Sequence, residues 1–273
     1  MRLDAYLASS GLVSSRTEAK RYIESGLVLV GGVPVTKPSF DVDESNPDIT
    51  LLEQEKSFVG RGGIKLDGAL DSFDIAVRGK RCLDVGASSG GFTDCLLQRG
   101  AAHVYAVDAG AGQLAPKLAQ DVRVTSMEHT NARELTPDMI GGTPVDLIVM
   151  DVSFISATYI LPRFPALLRE GGHAVCLIKP QFEVGRAMLG KGGIVRDPVA
   201  HRYAVERVLD ASRALGLVPV GLIPSPIEGG DGNREFLVHL IRTDAGTNEI
   251  DERTVATVTR SAHATSPHAK KGN

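Results

Sequence analysis

The chain has 273 residues, enough for one large domain and one small domain. Its hydrophobic fraction of 42% and charged fraction of 23% are typical of a globular protein, and no apolar run is long enough to predict a membrane span. The formal net charge of −3 gives no general attraction for nucleic acid, so such a partner would need a local basic patch.

The N-terminus and the cysteines indicate where the protein works. Asp4 and the lack of an apolar core near the N-terminus predict that there is no signal peptide. The 3 cysteines have no metal-ligand spacing, and Cys82 and Cys176 lie in apolar strands, as expected of buried thiols in a reducing compartment. We therefore expect a cytoplasmic, monomeric protein without a metal site.

The first residues predict a small unit of two helices and a hairpin. The leucines of residues 1–12 favour one amphipathic helix, and residues 16–24 favour a second that ends at Gly26. Residues 27–35 are typical of a short hairpin around a Gly-Gly turn. On charge alone, the cations of the second helix indicate only a solvated face.

The order of these residues resembles an RNA-binding module. The runs are Arg2-Leu3-Asp4-x-x-Leu7, Ser15-Arg16-x-x-Ala19 and Ile23-x-x-Gly26-x-Val28-x-Val30-x-Gly32. They are similar to the RNA-binding domain named after the fourth protein of the small ribosomal subunit, in which the second helix and the following turn meet RNA backbone. The resemblance implies salt-sensitive contacts with phosphates. The predicted RNA-binding residues are Arg2, Arg16, Lys20, Arg21 and Lys37, together with Arg61 farther along the chain.

Changes in composition predict three segments. Residues 1–55 form the small α+β RNA-binding domain, and polar residues around 53–57 form the linker. Residues 56–242 form a second, larger domain. Residues 243–273 lose their periodicity and are predicted to be a disordered tail.

The larger domain alternates strands and helices, which predicts a doubly wound α/β sheet. The order of the strands within the sheet is not visible from one sequence. The strands are expected at about 81–85, 103–107, 122–126, 145–150, 173–178, 217–223 and 235–241, and the helices at about 65–73, 91–99, 112–119, 158–168 and 198–215.

A glycine-rich turn after the first of these strands predicts a nucleoside cofactor. Gly86 and Gly90 allow a tight turn, and Asp108 ends the next strand, where a carboxylate suits the hydroxyls of a ribose. The spacing differs from the Gly-x-Gly-x-x-Gly of dinucleotide folds. Asp84 would repel a pyrophosphate but suits the ammonium group of a methionine, which favours S-adenosylmethionine over NAD. A plain strand–turn–helix without a ligand is the alternative.

Charged residues recur at the predicted ligand-binding edge of the sheet. Asp151 and Lys179 end two strands, and Glu235 lies at the start of the last strand. Lys65 follows a glycine pair at the start of the domain. A single residue of this kind is usually just solvated, but two lysines and two acids in one crevice suggest catalysis.

Five segments follow one another in a characteristic order. They are Gly62-Gly63-x-Lys65-Leu66, Asp84-x-Gly86-Ala87-Ser88-x-Gly90-Gly91-Phe92, Asp151-x-Ser153-Phe154-Ile155-Ser156, Lys179-Pro180-Gln181-Phe182-Glu183 and Gly232-Asn233-x-Glu235. This set, with the N-terminal module, resembles the TlyA family over residues 1–242. Members are known as haemolysins and as ribosomal RNA 2′-O-methyltransferases, and their larger domain is similar to the FtsJ-type, a Rossmann-like class I methyltransferase. The resemblance implies methylation of ribosomal RNA, with cytidine favoured as the target.

The resemblance also implies a Lys-Asp-Lys-Glu tetrad formed by Lys65, Asp151, Lys179 and Glu235. A ribose hydroxyl must lose a proton when it attacks a methyl group, and a lysine can accept that proton when burial or a neighbouring cation favours its neutral form. We assign Lys179 to this role and Asp151 to orienting it. Lys65 is expected to hold a substrate phosphate or stabilise negative charge, and Glu235 to orient a lysine.

For the cofactor, S-adenosylmethionine, the resemblance implies Asp84, Gly86 and Ser88 near the methionine end and Asp108 on the ribose. Asn131 is expected beside the adenine, although an ordinary turn residue is an equal alternative. Gly90 and Asp151 complete the predicted cofactor site. Residues 183–197 lack the spacing of a phosphate loop and are expected to be a flexible cover.

Three other functions fit parts of the sequence. A catalytically silent RNA-binding or ribosome-assembly factor would have no need of all four tetrad residues. A haemolysin-like membrane-active protein is disfavoured because there is no strongly amphipathic basic helix. An NAD-dependent dehydrogenase is disfavoured by Asp84 and the glycine spacing.

Overall fold

The computed structural model describes residues 1–13, 15–24, 26–43, 48–52, 57–229, 232–243 and 250–264. The chain divides into two compact units, Met1–Ser57 and Phe58–Asn273. Each unit has a hydrophobic core of its own.

The first unit packs two helices and a small sheet around one core. Its helices are α1 (Leu3–Ser9) and α2 (Arg16–Glu24), as the apolar spacing predicts. Within the described residues, three antiparallel strands follow with β1 in the middle, and the fully buried Leu3, Leu7, Ala19, Ile23 and Val28 join helices and sheet. The strands are β1 (Val28–Val30), β2 (Val33–Pro34) and β3 (Ile49–Leu51).

The second unit contains a seven-stranded sheet, counted over its described residues, in the order β6-β5-β4-β7-β8-β10-β9. Strands β4 to β8 pair in parallel, whereas β10 is antiparallel to both β8 and β9. The direction of winding reverses between β4 and β7, which is where α/β sheets bind ligands. The strands are β4 (Arg81–Val85), β5 (His103–Val107), β6 (Val124–Met127), β7 (Val145–Met150), β8 (Leu168–Ile178), β9 (Leu217–Pro224) and β10 (Phe236–Arg242).

Helices cover both faces of this sheet, which confirms the predicted doubly wound fold. Alternate residues of each buried strand point to opposite faces. One face packs against Leu66 and Leu96, and the other against Phe164 and Val208. The helices are α3 (Gly62–Ser72), α4 (Gly91–Gln98), α5 (Pro116–Ala119), α6 (Phe164–Leu167), α7 (Pro180–Glu183), α8 (Pro198–Arg213) and α9 (Glu252–Ala264).

The helix predicted at residues 158–168 is wrong in extent. The segment forms two 3₁₀ turns and then only the short α6. Pro162 and Pro165 lack a backbone N–H and clash with the preceding turn, so a continuous helix does not form. The following strand β8 begins correspondingly earlier, at Leu168.

The prediction of a disordered tail at residues 243–273 is wrong for α9. The side chain of Asp251 accepts a hydrogen bond of 2.8 Å from the backbone N–H of Thr254, which caps the start of the helix. Val255 is only 3% exposed and packs into the core of the second unit. Few apolar residues mark this helix, so the surrounding Thr, Ala and Ser hide its pattern. Residues 244–249 and 265–273 lie outside the described residues.

Replacing Val255 with alanine tests the docking of α9. We expect Val255→Ala to lower the free energy of unfolding by roughly 1–3 kcal/mol, because buried methyl groups are lost and a cavity remains. Val122→Ala is the matched control, since Val122 is 95% exposed. Urea denaturation of both variants gives the comparison, and equal midpoints would show that α9 is not docked in solution.

Candidate active site

The loop after β4 packs directly against the end of β7. A Cβ atom on Gly86 would lie 2.4 Å from the backbone oxygen of Asp151, and Gly86 has a φ of 87°. Only glycine fits such a position. The backbone N–H of Asp151 donates a hydrogen bond of 3.0 Å to the carbonyl of Val85. This close approach brings the glycine-rich loop and Asp151 to one place on the sheet edge.

A cavity of about 410 Å³ opens at this place. Its size is within the usual range for small-molecule sites. Among its lining residues are five of the predicted cofactor-binding residues, namely Gly86, Ser88, Asp108, Asn131 and Asp151. We call it the cofactor cavity.

Asp108 is held in this cavity by backbone amides. The N–H of Ser88 donates to its Oδ2 at 2.7 Å, and the N–H of Gly110 donates to its Oδ1 at 2.7 Å. Ser88 adopts a left-handed φ of 47° in order to do so. A carboxylate oxygen can accept more than one hydrogen bond, so both oxygens of Asp108 can still take a hydroxyl of a ribose.

Asn131 is a turn residue in the wall of the cofactor cavity. It lines the cofactor cavity, yet its side chain stabilises a turn. Its Oδ1 accepts from the N–H of Arg133 at 3.1 Å, and its Nδ2 donates to Glu134 at 2.7 Å. The residue therefore shapes the cavity wall by fixing this turn.

Asp84 and Gly90 are placed differently from the prediction, because neither reaches the cavity. Asp84 is fully buried, since strand alternation turns it toward α4, where its Oδ2 accepts a hydrogen bond of 2.6 Å from Thr93. A Cβ atom on Gly90 would lie 2.3 Å from Leu118, so this glycine allows close packing against a leucine. Both residues therefore support the glycine-rich loop on the side away from the cofactor cavity.

The structure brings the four predicted tetrad residues together as two ion pairs. Lys179 Nζ lies 2.6 Å from Asp151 Oδ1, and Lys65 Nζ lies 2.5 Å from Glu235 Oε2. Asp151 and Lys179 follow the ends of β7 and β8. Glu235 precedes β10, whose antiparallel direction places its start at the same edge.

The two pairs differ in access. The side chains of Lys65 and Glu235 are 8% and 3% exposed, whereas those of Lys179 and Asp151 are 11% and 19% exposed. Burial raises the pKa of Glu235, and the positive charges of Lys65 and Lys179 oppose this rise. Because its amine is buried against Glu235, Lys65 is poorly placed for the expected contact with a substrate phosphate. The Lys179–Asp151 pair is the accessible one.

Sequence reasoning assigned no role to Ser153 and Glu183. Ser153 Oγ accepts a hydrogen bond of 2.7 Å from Lys179 Nζ. Glu183 is buried, and its carboxylate accepts from Ser156 Oγ at 2.5 Å and from the N–H of Ala157 at 2.8 Å. Burial raises the pKa of Glu183. Through these hydrogen bonds, Glu183 links the loop that carries Asp151 to α7, the helix that follows Lys179. The signal for Ser153 was a polar side chain just after a strand end, whereas Glu183 lies at the end of α7 and carries no such signal.

A second cavity of about 410 Å³ has Lys179 in its wall. We call it the distal cavity. Phe154 has a left-handed φ of 65° and is 92% exposed, and its ring centroid lies 5.3 Å from that of Phe182. Ser153 lines both cavities. The distal cavity is lined by Ser153, Phe154, Lys179, Gln181, Phe182, Leu189, Gly192, Gly193, Asn233 and Glu235.

The cations predicted to bind RNA lie mostly at the surface of the first unit. Arg2 and Arg16 both pair with Asp4, at 3.0 Å and 3.1 Å. The hydrogen bond from Arg2, helped by that from Arg16, lowers the pKa of Asp4 to about 2. Lys20 is exposed and lies 3.7 Å from Glu24. Lys37 is exposed as well.

Two further cations were predicted for the same role. The side chain of Arg21 lies outside the part that the structure describes. Arg61, in the second unit, is exposed at the start of α3 and donates a hydrogen bond of 2.5 Å to the carbonyl of Glu228.

Comparison with known proteins agrees with this geometry. Residues 58–242 match the model of the FtsJ-like methyltransferase family, and residues 1–46 match the S4 domain. The chain belongs to the FtsJ-like methyltransferase family. It is therefore an enzyme that transfers methyl groups.

Relatives along most of the chain define its place within the family. The 16S/23S rRNA (cytidine-2′-O)-methyltransferase TlyA of Mycobacterium tuberculosis is 46% identical over 88% of this chain and 89% of its own length. Hemolysin A of Brachyspira hyodysenteriae is 42% identical over 88% of this chain and 100% of its own length. A solved structure from Streptococcus thermophilus that carries the name hemolysin shares 41% identity, with a TM-score of 0.74 over 97% of this chain and 96% of that one.

None of the described helices is long and apolar enough to cross a bilayer. No cluster of three or more His, Cys, Asp or Glu residues in the described ranges is arranged to hold a metal ion.

The burial of Asp84 predicts a specific pH dependence of stability. Burial raises the pKa of Asp84 to about 7. Between pH 4 and pH 7, the Asp84 carboxyl is therefore ionised in the unfolded chain but still protonated in the folded protein. Its contribution to the free energy of unfolding falls as the pH rises through this range and is constant above pH 7. Asp84→Asn lacks this loss. The free energy of unfolding of the variant minus that of the parent should therefore increase by a few kcal/mol from pH 4 to pH 8.

Urea denaturation at a series of pH values, without ligand, measures this difference. Asp74→Asn, at an exposed position, is the matched control and should follow the parent at every pH. Parallel curves for Asp84→Asn and the parent would contradict the prediction.

Proposed function

We propose that this methyltransferase moves a methyl group from S-adenosylmethionine to the 2′-hydroxyl of a ribose in ribosomal RNA, at a cytidine. The observation that carries the proposal is the Lys179–Asp151 pair, which lies between a cavity suited to a nucleoside cofactor and a second cavity beside two aromatic rings. The name of the Mycobacterium tuberculosis relative supports the choice of ribosomal RNA and cytidine.

The residues of the cofactor cavity fit S-adenosylmethionine. Gly86 lines the cavity and lets the loop approach Asp151, and Asp108 offers two fixed oxygens to the ribose. The turn at Asn131 closes one wall. When bound, the cofactor supplies a methyl group on a positively charged sulfur.

Lys179 is placed to handle the proton of the reaction. In its neutral form, its Nζ would accept the proton of the 2′-hydroxyl, while the oxygen would bond to the methyl carbon as the carbon–sulfur bond of the donor breaks. The carboxylate of Asp151, 2.6 Å away, stabilises the ammonium group that forms, and Ser153 fixes its direction. The rest of the rate enhancement comes from alignment of the attacking oxygen with the methyl group.

The distal cavity has room for the nucleotide that carries this hydroxyl. Unstacked RNA bases are commonly held on aromatic side chains. Phe154 is a large apolar residue in a strained, exposed conformation, which has no evident benefit for folding. We propose that its ring supports the base of the target nucleotide.

We propose that the first unit holds the RNA through its backbone. Its exposed cations neutralise phosphates without reading the sequence. Asp4 fixes Arg2 and Arg16 in place before RNA arrives. With ribosomal RNA as the substrate, the enzyme works in the cytoplasm, and we propose that it acts as a monomer. A silent RNA-binding factor is disfavoured because the accessible pair would then serve no purpose.

Removal of the Lys179 amine tests the proposed reaction. We expect Lys179→Ala to lower methyl transfer at least about 100-fold, because a general base is lost, while its affinity for S-adenosylmethionine stays within a few-fold of the parent. Transfer of labelled methyl groups to purified, unmodified ribosomal subunits measures the rate, and calorimetry measures the affinity. Lys80→Ala, at the opposite edge of the sheet, is the matched control. Unchanged turnover of Lys179→Ala would overturn its assignment.

Salt dependence tests RNA binding by the first unit. We expect Lys20→Ala to weaken binding of ribosomal RNA and to reduce the slope of log affinity against log salt by about 0.7–0.9, the value for one phosphate contact. Titrations at several KCl concentrations measure the slope. Arg213→Ala, an exposed change at the far end of α8, should keep the parent's slope. If Lys20→Ala and the control gave the same slope, Lys20 would not be a phosphate ligand.

A further inference from the structure

Two carboxamide side chains line the distal cavity. Within the described residues, Asn233 is the one whose side-chain oxygen and nitrogen both form hydrogen bonds. Its Oδ1 accepts a hydrogen bond of 3.0 Å from the N–H of Val195, and its Nδ2 donates to the carbonyl of Gly193 at 3.3 Å. Asn233 is buried and holds the loop before α8 against the lead-in to β10. It is thus a structural residue of the wall.

Gln181 is the other carboxamide, and its situation is different. Its Oε1 is buried, and none of the described residues donates a hydrogen bond to it. A buried acceptor without a donor costs free energy and is rare in folded proteins. The residue lies two positions after Lys179 and lines the same cavity, beside the rings of Phe154 and Phe182. These features are those of a polar group kept for a ligand.

We propose that Gln181 reads the pairing edge of the target base in the distal cavity and thereby selects cytidine. The inference rests on the function proposed above. A carboxamide offers one acceptor next to one donor, as in the pairing of Asn or Gln with the edge of adenine. Cytosine presents the complementary set, with its N4 amino group as donor and N3 as acceptor.

The unpaired oxygen of Gln181 gives the preference its direction. Oε1 is the atom that lacks a partner among the described residues; when the side chain meets the base, the amino group of cytosine can donate to it, whereas uracil has a carbonyl at that position. A site built to hydrogen-bond a substrate group discriminates strongly against a substrate that lacks it, because the buried atom then stays unpaired. Discrimination therefore comes from Gln181, while Lys179 acts on the ribose that all nucleotides share.

The test compares two substrates that differ in one base. The methylated nucleotide is first mapped, and subunits are then reconstituted with cytidine or uridine at that position. The parent should prefer cytidine by about tenfold or more in kcat/KM, as expected for a bidentate contact. In Gln181→Glu both oxygens can only accept. The side chain then accepts from N4–H of cytosine but repels its N3, and it accepts from N3–H of uracil but repels its O4, so the preference for cytosine is lost. The cytidine-to-uridine ratio should fall about tenfold or more.

Two variants serve as controls. Gln181→Met keeps the length of the side chain without hydrogen bonds, and its ratio should approach one. Thermal denaturation shows whether Gln181→Glu is folded. If it is not, the ratio measured for Gln181→Met tests the role of Gln181 instead. Gln120→Glu makes the same chemical change at an exposed site and should keep the parent's ratio. The affinity of all variants for S-adenosylmethionine should equal that of the parent.

The outcomes separate this inference from the proposed function. If the parent methylates both substrates equally, or if Gln181→Glu and Gln181→Met keep its preference, the inference is overturned and the methyltransferase reaction stands. If the parent transfers no methyl group to either ribosomal subunit, the proposed function fails, and the inference fails with it.

Discussion

The site depends on one close approach, that of the loop after β4 to the end of β7. Gly86 makes it possible, because a Cβ atom there would lie 2.4 Å from the backbone oxygen of Asp151. With the two segments in contact, Asp151 belongs to the cofactor cavity and to the ion pair with Lys179 at once. A side chain at position 86 would push the loop away from β7 and, in the reaction proposed above, separate the methyl donor from the residues proposed to act on the acceptor. The charged residues can lie together at this switch point only because the two backbone segments approach each other closely.

The two ion pairs have different consequences because their burial differs. Taking a lysine and a carboxylate out of water is costly, and a buried pair is often no more stabilising than apolar residues of the same size. The Lys65–Glu235 pair is nearly inaccessible, so its value lies in fixing α3 against the start of β10 and in setting the field around Lys179. The Lys179–Asp151 pair is more exposed, as its proposed contact with a substrate hydroxyl requires. Glu183 supports the second pair by holding the loop that carries Asp151.

Much of the fold followed from the sequence because strand ends and tight turns leave local signals. The alternation of elements, the tetrad positions and Asp108 all depend on residues adjacent in the chain. The errors arose where distant contacts decide. Asp84 and Gly90 belong to the predicted loop, but the face that each presents is set by packing against Thr93 and Leu118. Helix α9 forms because Val255 finds the core of the sheet, which no local pattern reveals. Gln181 stood inside a recognised motif, yet only the unsatisfied environment of its oxygen suggests a role.

Under the proposed function, holding the RNA and choosing the nucleotide make different physical demands on this enzyme. The cations of the first unit are proposed to contact phosphates, which are the same at every position, so they would supply affinity that salt weakens and no choice of base. The Lys179–Asp151 pair is proposed to act on a hydroxyl that every ribonucleotide carries, so the chemistry would not choose either. Selection must therefore come from a neutral group that meets a base edge away from water, where an unmade hydrogen bond is costly. Among the described residues that line the distal cavity, Gln181 meets these conditions, since the side-chain oxygen and nitrogen of Asn233 each already have a partner.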